Sequence, residues 1–68
     1  MERRYEIFEV LPNGSAHKIS VVSGLEYARS SVRKLASHTS NECYAEDTET
    51  RQVVAQMNVP RAKRSSNA

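Results

Sequence analysis

With 68 residues, one cysteine and ten Lys and Arg against eight Asp and Glu, the chain is limited to one small domain. A lone cysteine excludes an internal disulfide, two isolated glycines exclude a glycine-rich phosphate loop, and no apolar run is long enough to predict a membrane-spanning helix. Folding at this size buries only about 60% of the surface that the unfolded chain exposes, so stability is marginal and a partner subunit is one remedy left open.

The first segment, RRYEIFEVL at 3–11, is rich in aromatic and β-branched residues and predicts a strand. It ends at Pro12-Asn13-Gly14, a turn in which proline fixes φ while Asn and Gly accept positive φ. AHKISVV at 16–22 is the returning strand of a hairpin. The period then changes from two to 3.6. Leu25, Ala28, Val32, Leu35 and Ala36 share one helix face, and the helix is expected to fade out at 38–40. Ser23 with Glu26 three residues on predicts a capping box, flanked by Val22 and Tyr27 at the two staple positions. NECYAED at 41–47 and TRQVVAQMN at 50–58 form a second expected hairpin joined by DTET, although the last run is also compatible with a short helix.

The fold class is therefore α+β, in the order β-β-α-β-β, with an antiparallel sheet of about four strands and one helix packed on one face. Residues 1–58 form the single domain and 59–68 a flexible basic tail, since RAKRSSNA offers no large apolar anchor. Alternation places Ile7, Ile19, Val21, Cys43, Ala45, Val53 and Ala55 under the helix, facing Leu25, Val32 and Leu35. The strand order is left open, because the helical crossover can return to either edge of the first hairpin.

YEIFEVL is apolar in both phases. If Tyr5 and Ile7 face the helix, then Phe8 and Val10 face away with Tyr44 and Val54, and one helix cannot cover both faces. That patch is the candidate homodimer face; the alternative is isolated apolar residues shielded by Arg and Glu stems.

Catalytic and metal chemistry find little support. Cys43 in an alternating strand predicts a small core residue rather than a nucleophile. His17, His38 and Cys43 lack metal-ligand spacing, so neither a metal nor a cofactor is expected, and no small-molecule substrate suggests itself. The Asn13-Gly14-Ser15 sequon has no meaning in a protein read as cytoplasmic, a placement that rests on the free thiol and on an N-terminus without an apolar leader.

The cations divide unevenly. The last eight residues hold Arg61, Lys63 and Arg64 and no acid, so residues 1–60 carry seven bases and eight acids. Arg29, Arg33 and Lys34 lie on the outer helix face, opposed there by Glu26. Together with the tail they are candidate nucleic-acid contacts, while the bland reading is a solvated face. Three contacts on duplex DNA give a salt slope of about −2.7 and six about −5, so the tail alone is too weak an argument. Tyr5, Phe8, Tyr27 and Tyr44 lack the spacing of an RNA-recognition motif.

The stretches RYEIFEVLPNG, VSGLEYAR and NECYAED together resemble a loose class of short uncharacterised bacterial proteins, over roughly residues 4–54. The resemblance implies the same β-β-α-β-β pattern and carries over no functional residue. From the residues themselves, the expectation is a non-enzymatic interaction module, self-associating through the outer sheet face, with nucleic-acid binding as the alternative.

Overall fold

The computed structural model describes residues 2–60. Five elements follow in the expected order: β1 (Arg4–Val10), β2 (Ala16–Ser23), α1 (Leu25–Ala36), β3 (Cys43–Asp47) and β4 (Val53–Met57). The strands form one antiparallel sheet in the order β2-β1-β3-β4, which settles the crossover: α1 carries the chain past β1, so β3 pairs with the free edge of the first strand.

The turn after β1 is built by its own side chains. Gly14 adopts φ 91, its N–H donates to Leu11 O at 2.8 Å, and Asn13 Oδ1 accepts from Ser15 N and Oγ at 3.0 and 2.7 Å. In the second hairpin Asp47 does the same work, accepting from the backbone N–H of Glu49 at 2.7 Å and of Thr50 at 3.2 Å. Arg3 adds an ion pair to the same carboxylate at 3.1 Å. The backbone N–H of Glu49 foremost, then that of Thr50 and the Arg3 guanidinium, hold the Asp47 carboxyl below the usual range against the opposing effect of burial.

The core is Tyr5, Ile7, Ala28, Val32, Cys43 and Ala45, with Val22, Leu35, Ala36, Val54 and Ala55 packed around it. Tyr5 and Ile7 thus face α1, as one phase of the first strand required. Four expected placements fail. Ile19, Val21 and Val53 are not under the helix, and Val54 is not on the outer face. The cause is one irregularity in each edge strand. The β1–β2 register slips between Ile7 and Phe8, so Val22 rather than Val21 sits beside Tyr5; the β3–β4 register slips between Ala45 and Glu46, so Val53 pairs with Glu46 and Val54 turns to the core. One extra residue in a strand reverses the face of everything beyond it.

The capping box is also corrected. Ser23 stays in β2 opposite Arg4, and α1 is capped by Gly24 at φ 93, ψ 137, with no side-chain cap bond. Glu26 pairs instead with Arg29 at 3.6 Å. Tyr27 is 71% exposed, so it staples nothing, and Leu25 is at the margin of the core rather than in it.

Candidate interaction surfaces

β1 and β3 are the two central strands, and they set Phe8 directly opposite Tyr44 on the face away from α1. The two rings stack with centroids 5.0 Å apart and 21° between their planes. Cross-strand pairing extends this contact into a row over the whole sheet, Lys18–Phe8–Tyr44–Gln56, and the next row reads Val21–Glu6–Glu46–Val53. Val10 continues the Phe8 side of the face, paired with Ala16 and half-buried. Val21 and Val53, 49% and 48% exposed, stand at its two edges. Of the four residues assigned to this face from sequence, Phe8, Val10 and Tyr44 are brought together; Val54 is not, and Val53 takes its place.

Glu6 and Glu46 face each other across the central strands, a repulsive placement unless a cation intervenes. Arg51 intervenes. Its Nη1 donates to Glu6 Oε1 at 3.0 Å and to Glu46 Oε1 at 3.3 Å, while Lys18 Nζ reaches Glu6 Oε2 at 3.4 Å. Arg51 adopts φ 65 at the end of the β3–β4 turn, a left-handed conformation that is uncommon outside glycine and Asn.

On the helix side, the far end of the sheet carries a polar cluster. Glu9 accepts hydrogen bonds from Thr39 Oγ1 and Asn41 Nδ2, each at 2.9 Å, and lies between His17 and Cys43 in the strand register. The Asn41 bond first, then the Thr39 bond and the nearby His17 charge, hold the Glu9 carboxyl below its usual range, burial acting against them. Cys43 is fully buried and donates to Asn41 O at 3.3 Å; burial foremost, with Glu9 and Glu42 adding to it, pushes its thiol up. That environment favours the thiol over the thiolate that nucleophilic chemistry needs. Among the described residues no group of three or more His, Cys, Asp or Glu side chains is arranged to hold a metal ion.

The outer helix face carries Tyr27, Ser30, Arg33 and Lys34 beside the Glu26–Arg29 pair. Arg33 and Lys34 make no ion pair among the described residues. Arg61, Lys63 and Arg64 lie outside the described residues. Sequence reasoning missed Asn58, which follows β4 at φ 58 and donates from Nδ2 to Ala36 O, Thr39 O and Asn41 O at 3.3, 2.9 and 3.2 Å. An Asn placed just after a strand and tolerant of positive φ is the one signal that marked it.

No helix among the described residues is long and apolar enough to cross a membrane. Comparison of the chain with protein-family models, curated proteins and solved structures finds no match.

Proposed function

We propose that the protein is a non-enzymatic interaction module of the cytoplasm that associates with a second copy of itself through the outer sheet face. The observation behind this is the Phe8–Tyr44 stack at the centre of a sheet whose single helix lies on the opposite face. Because the rings stack on each other, their facing surfaces are already used, and what they offer to a partner is apolar packing more than a platform for a flat base.

The chemistry of the face supports a second copy. Strands of seven, eight, five and five residues, about 4.8 Å apart and rising about 3.3 Å per residue, give a face of roughly 400 Å² in projection, about half the ~800 Å² per partner of a standard interface. The face has an aromatic centre, and its charged groups have both signs, Glu6 and Glu46 against Lys18 and Arg51. In a two-fold contact each copy then presents both charges to the other. Burying an aromatic or valine side chain contributes about 1.5–3 kcal/mol, a large increment for a domain this small. Cys43, buried and held as a thiol, supports a packing role and a reducing compartment.

Sedimentation equilibrium across the micromolar range tests the reading. A monomer–dimer equilibrium is expected, shifted toward monomer by Phe8→Ser. Val53→Lys is the second variant, because an exposed Lys beside Glu46 is compatible with the fold yet places a charge in the interface. A monomer at every concentration, or a dimer indifferent to both changes, would refute it.

A further inference from the structure

β2 is the longest strand of the sheet and the least covered. It runs along one edge, and seven of its eight residues are exposed, Val22 alone being partly buried. Ile19 and Val21 are among the exposed apolar side chains. α1 packs chiefly on β4 and β3 and least on β2, so the helix does not wall off this edge.

The direction of its free backbone groups follows from the bonds at its two ends. Leu11 N donates to Ser15 O and Gly24 N to Arg3 O, each at 2.9 Å, so Ser15 and Gly24 both turn toward β1. Along a strand, successive residues present their N–H and C=O to opposite sides. Counting on from Ser15, His17 faces β1, while Ala16 and Lys18 face the open edge. Counting back from Gly24, Val22 and Ser20 face β1, while Val21 and Ser23 face the open edge. The two counts meet at Ile19, where the register against β1 slips. The bulge therefore sets the free groups of Lys18 and Val21 three residues apart, where a regular strand spaces them by two.

That spacing rejects most partners. A regular strand laid along β2 can bond Ala16 and Lys18, or Val21 and Ser23, but falls out of step across Ile19. A second β2 carries the same irregularity. Turned antiparallel about a two-fold axis between Ile19 and Ser20, it brings its Ser23 opposite Ala16 and its Val21 opposite Lys18, and every free group meets a free group. Charge agrees with this register. Its only ionisable side chains, His17 and Lys18, lie opposite Val22 and Val21 of the other copy, so neither meets its like. The other edge is a poorer site. Asp47 N donates to Gln52 O and Ala55 pairs with Ala45, so Val53 and Gln56 are outward in β4 and also three apart. That strand has only five residues, however, and the chain turns at Asn58 with φ 58.

We infer that β2 pairs with β2 of a second copy, edge to edge and antiparallel, giving one continuous eight-stranded sheet. The contact is distinct from the outer sheet face and does not rest on it. It sets the outer faces of two copies side by side on one surface, about twice the area of one. Edge pairing buries few side chains and relies on backbone hydrogen bonds of modest net strength. It is therefore the weaker contact, expected toward about millimolar concentration rather than the micromolar range of the face.

Amide hydrogen exchange followed by NMR on the full chain tests the inference. At about 50 μM the N–H groups of Lys18 and Val21 are open to water; at about 1 mM their exchange should slow by about threefold or more. Association through the outer face leaves both amides open, so the same slowing is expected in Phe8→Ser. Val21→Lys suits the fold, because residue 21 stands opposite Glu6 in its own sheet, but it sets a cation against Lys18 of the second copy and should abolish the slowing. Val21→Glu reverses both signs, repelled by Glu6 within the chain and attracted by Lys18 across the edge, and should bring the slowing to lower concentration. Exchange independent of concentration, slowing that survives Val21→Lys, and slowing lost in Phe8→Ser each overturn the inference. So does equal slowing at Val53 and Gln56, the mark of β2 pairing with β4. Sedimentation of the parent against Phe8→Ser reads the outer face separately, so either contact can fail without the other.

Discussion

Gly24 stands at the joint between β2 and α1 with φ 93 and ψ 137, angles open to glycine and strained for any L side chain. Replacing it with Ala costs about 1–3 kcal/mol through the backbone. The added Cβ would lie 2.7 Å from Oε2 of Glu2, but that oxygen ends a flexible side chain that can swing aside, so the clash adds little. Ala also restricts the unfolded chain, which returns about 0.4–1 kcal/mol. The net expectation for Gly24→Ala is a loss of about 1–2 kcal/mol, where the whole domain has on the order of 3–9 kcal/mol at about 0.05–0.15 per residue. At roughly 4–8 °C per kcal/mol, the Tm should fall by about 5–15 °C. Ser23→Ala, at a residue whose side chain caps nothing, should stay within about 0.5 kcal/mol of the parent. Urea and thermal unfolding followed by circular dichroism on both variants, and on Gly24→Ala combined with Glu2→Ala, decides the matter. A costly Ser23→Ala with a neutral Gly24→Ala would restore the serine cap. Full recovery on adding Glu2→Ala would assign the loss to the clash rather than to φ.

Two further outcomes follow from the fold. In each edge strand the inward valine should matter more than its neighbour: Val22→Ser and Val54→Ser are expected to cost about 1 kcal/mol or more, half the ~1.5–3 of full burial, against about 0.5 or less for Val21→Ser and Val53→Ser. Equal urea midpoints within each pair would contradict the register slips. The lowered carboxyls of Asp47 and Glu9 set the acid response. Their folded pKa values lie below the unfolded ones, so as pH falls the unfolded chain takes up protons first. Their contribution is complete above the ordinary carboxylate range near pH 4 and is lost as pH drops through the lowered values. The Tm should hold down to about pH 5 and fall below it. Asp47→Asn should start lower and fall less steeply; a profile parallel to the parent's would remove Asp47 as a source of the acid sensitivity.

Much of this architecture was legible in the residues. The element order followed from the change of period at Leu25, and the two-phase pattern of YEIFEVL located an outer apolar face before any partner strand was known. What escaped did so for physical reasons. Both register slips occur without a Gly or Pro to mark them, so simple alternation placed Val21 and Val54 on the wrong sides. Ser23 and Glu26 have the spacing of a capping box, but a strand paired to Arg4 had the prior claim on Ser23. The cross-strand meeting of Phe8 with Tyr44 needed the strand order, and so did the confrontation of Glu6 with Glu46 that Arg51 resolves. Asn58 is one polar residue in a polar stretch until the end of α1 is folded against it.

The order β2-β1-β3-β4 also has a consequence in time. Each hairpin closes over a short turn, but the seam between them joins Tyr5 to Asp47 and Glu9 to Cys43, separations of 42 and 34 residues. Closing a loop of that length comes after local pairing, so docking of the preformed hairpins is the natural slow step. During synthesis the first strand emerges earliest and finds β2 at once, yet its second edge stays open until residues 43–47 have left the ribosome. RYEIFEV, which carries Tyr5, Ile7, Phe8 and Val10, is therefore the strand that waits longest half-paired, and nascent-chain aggregation should begin there.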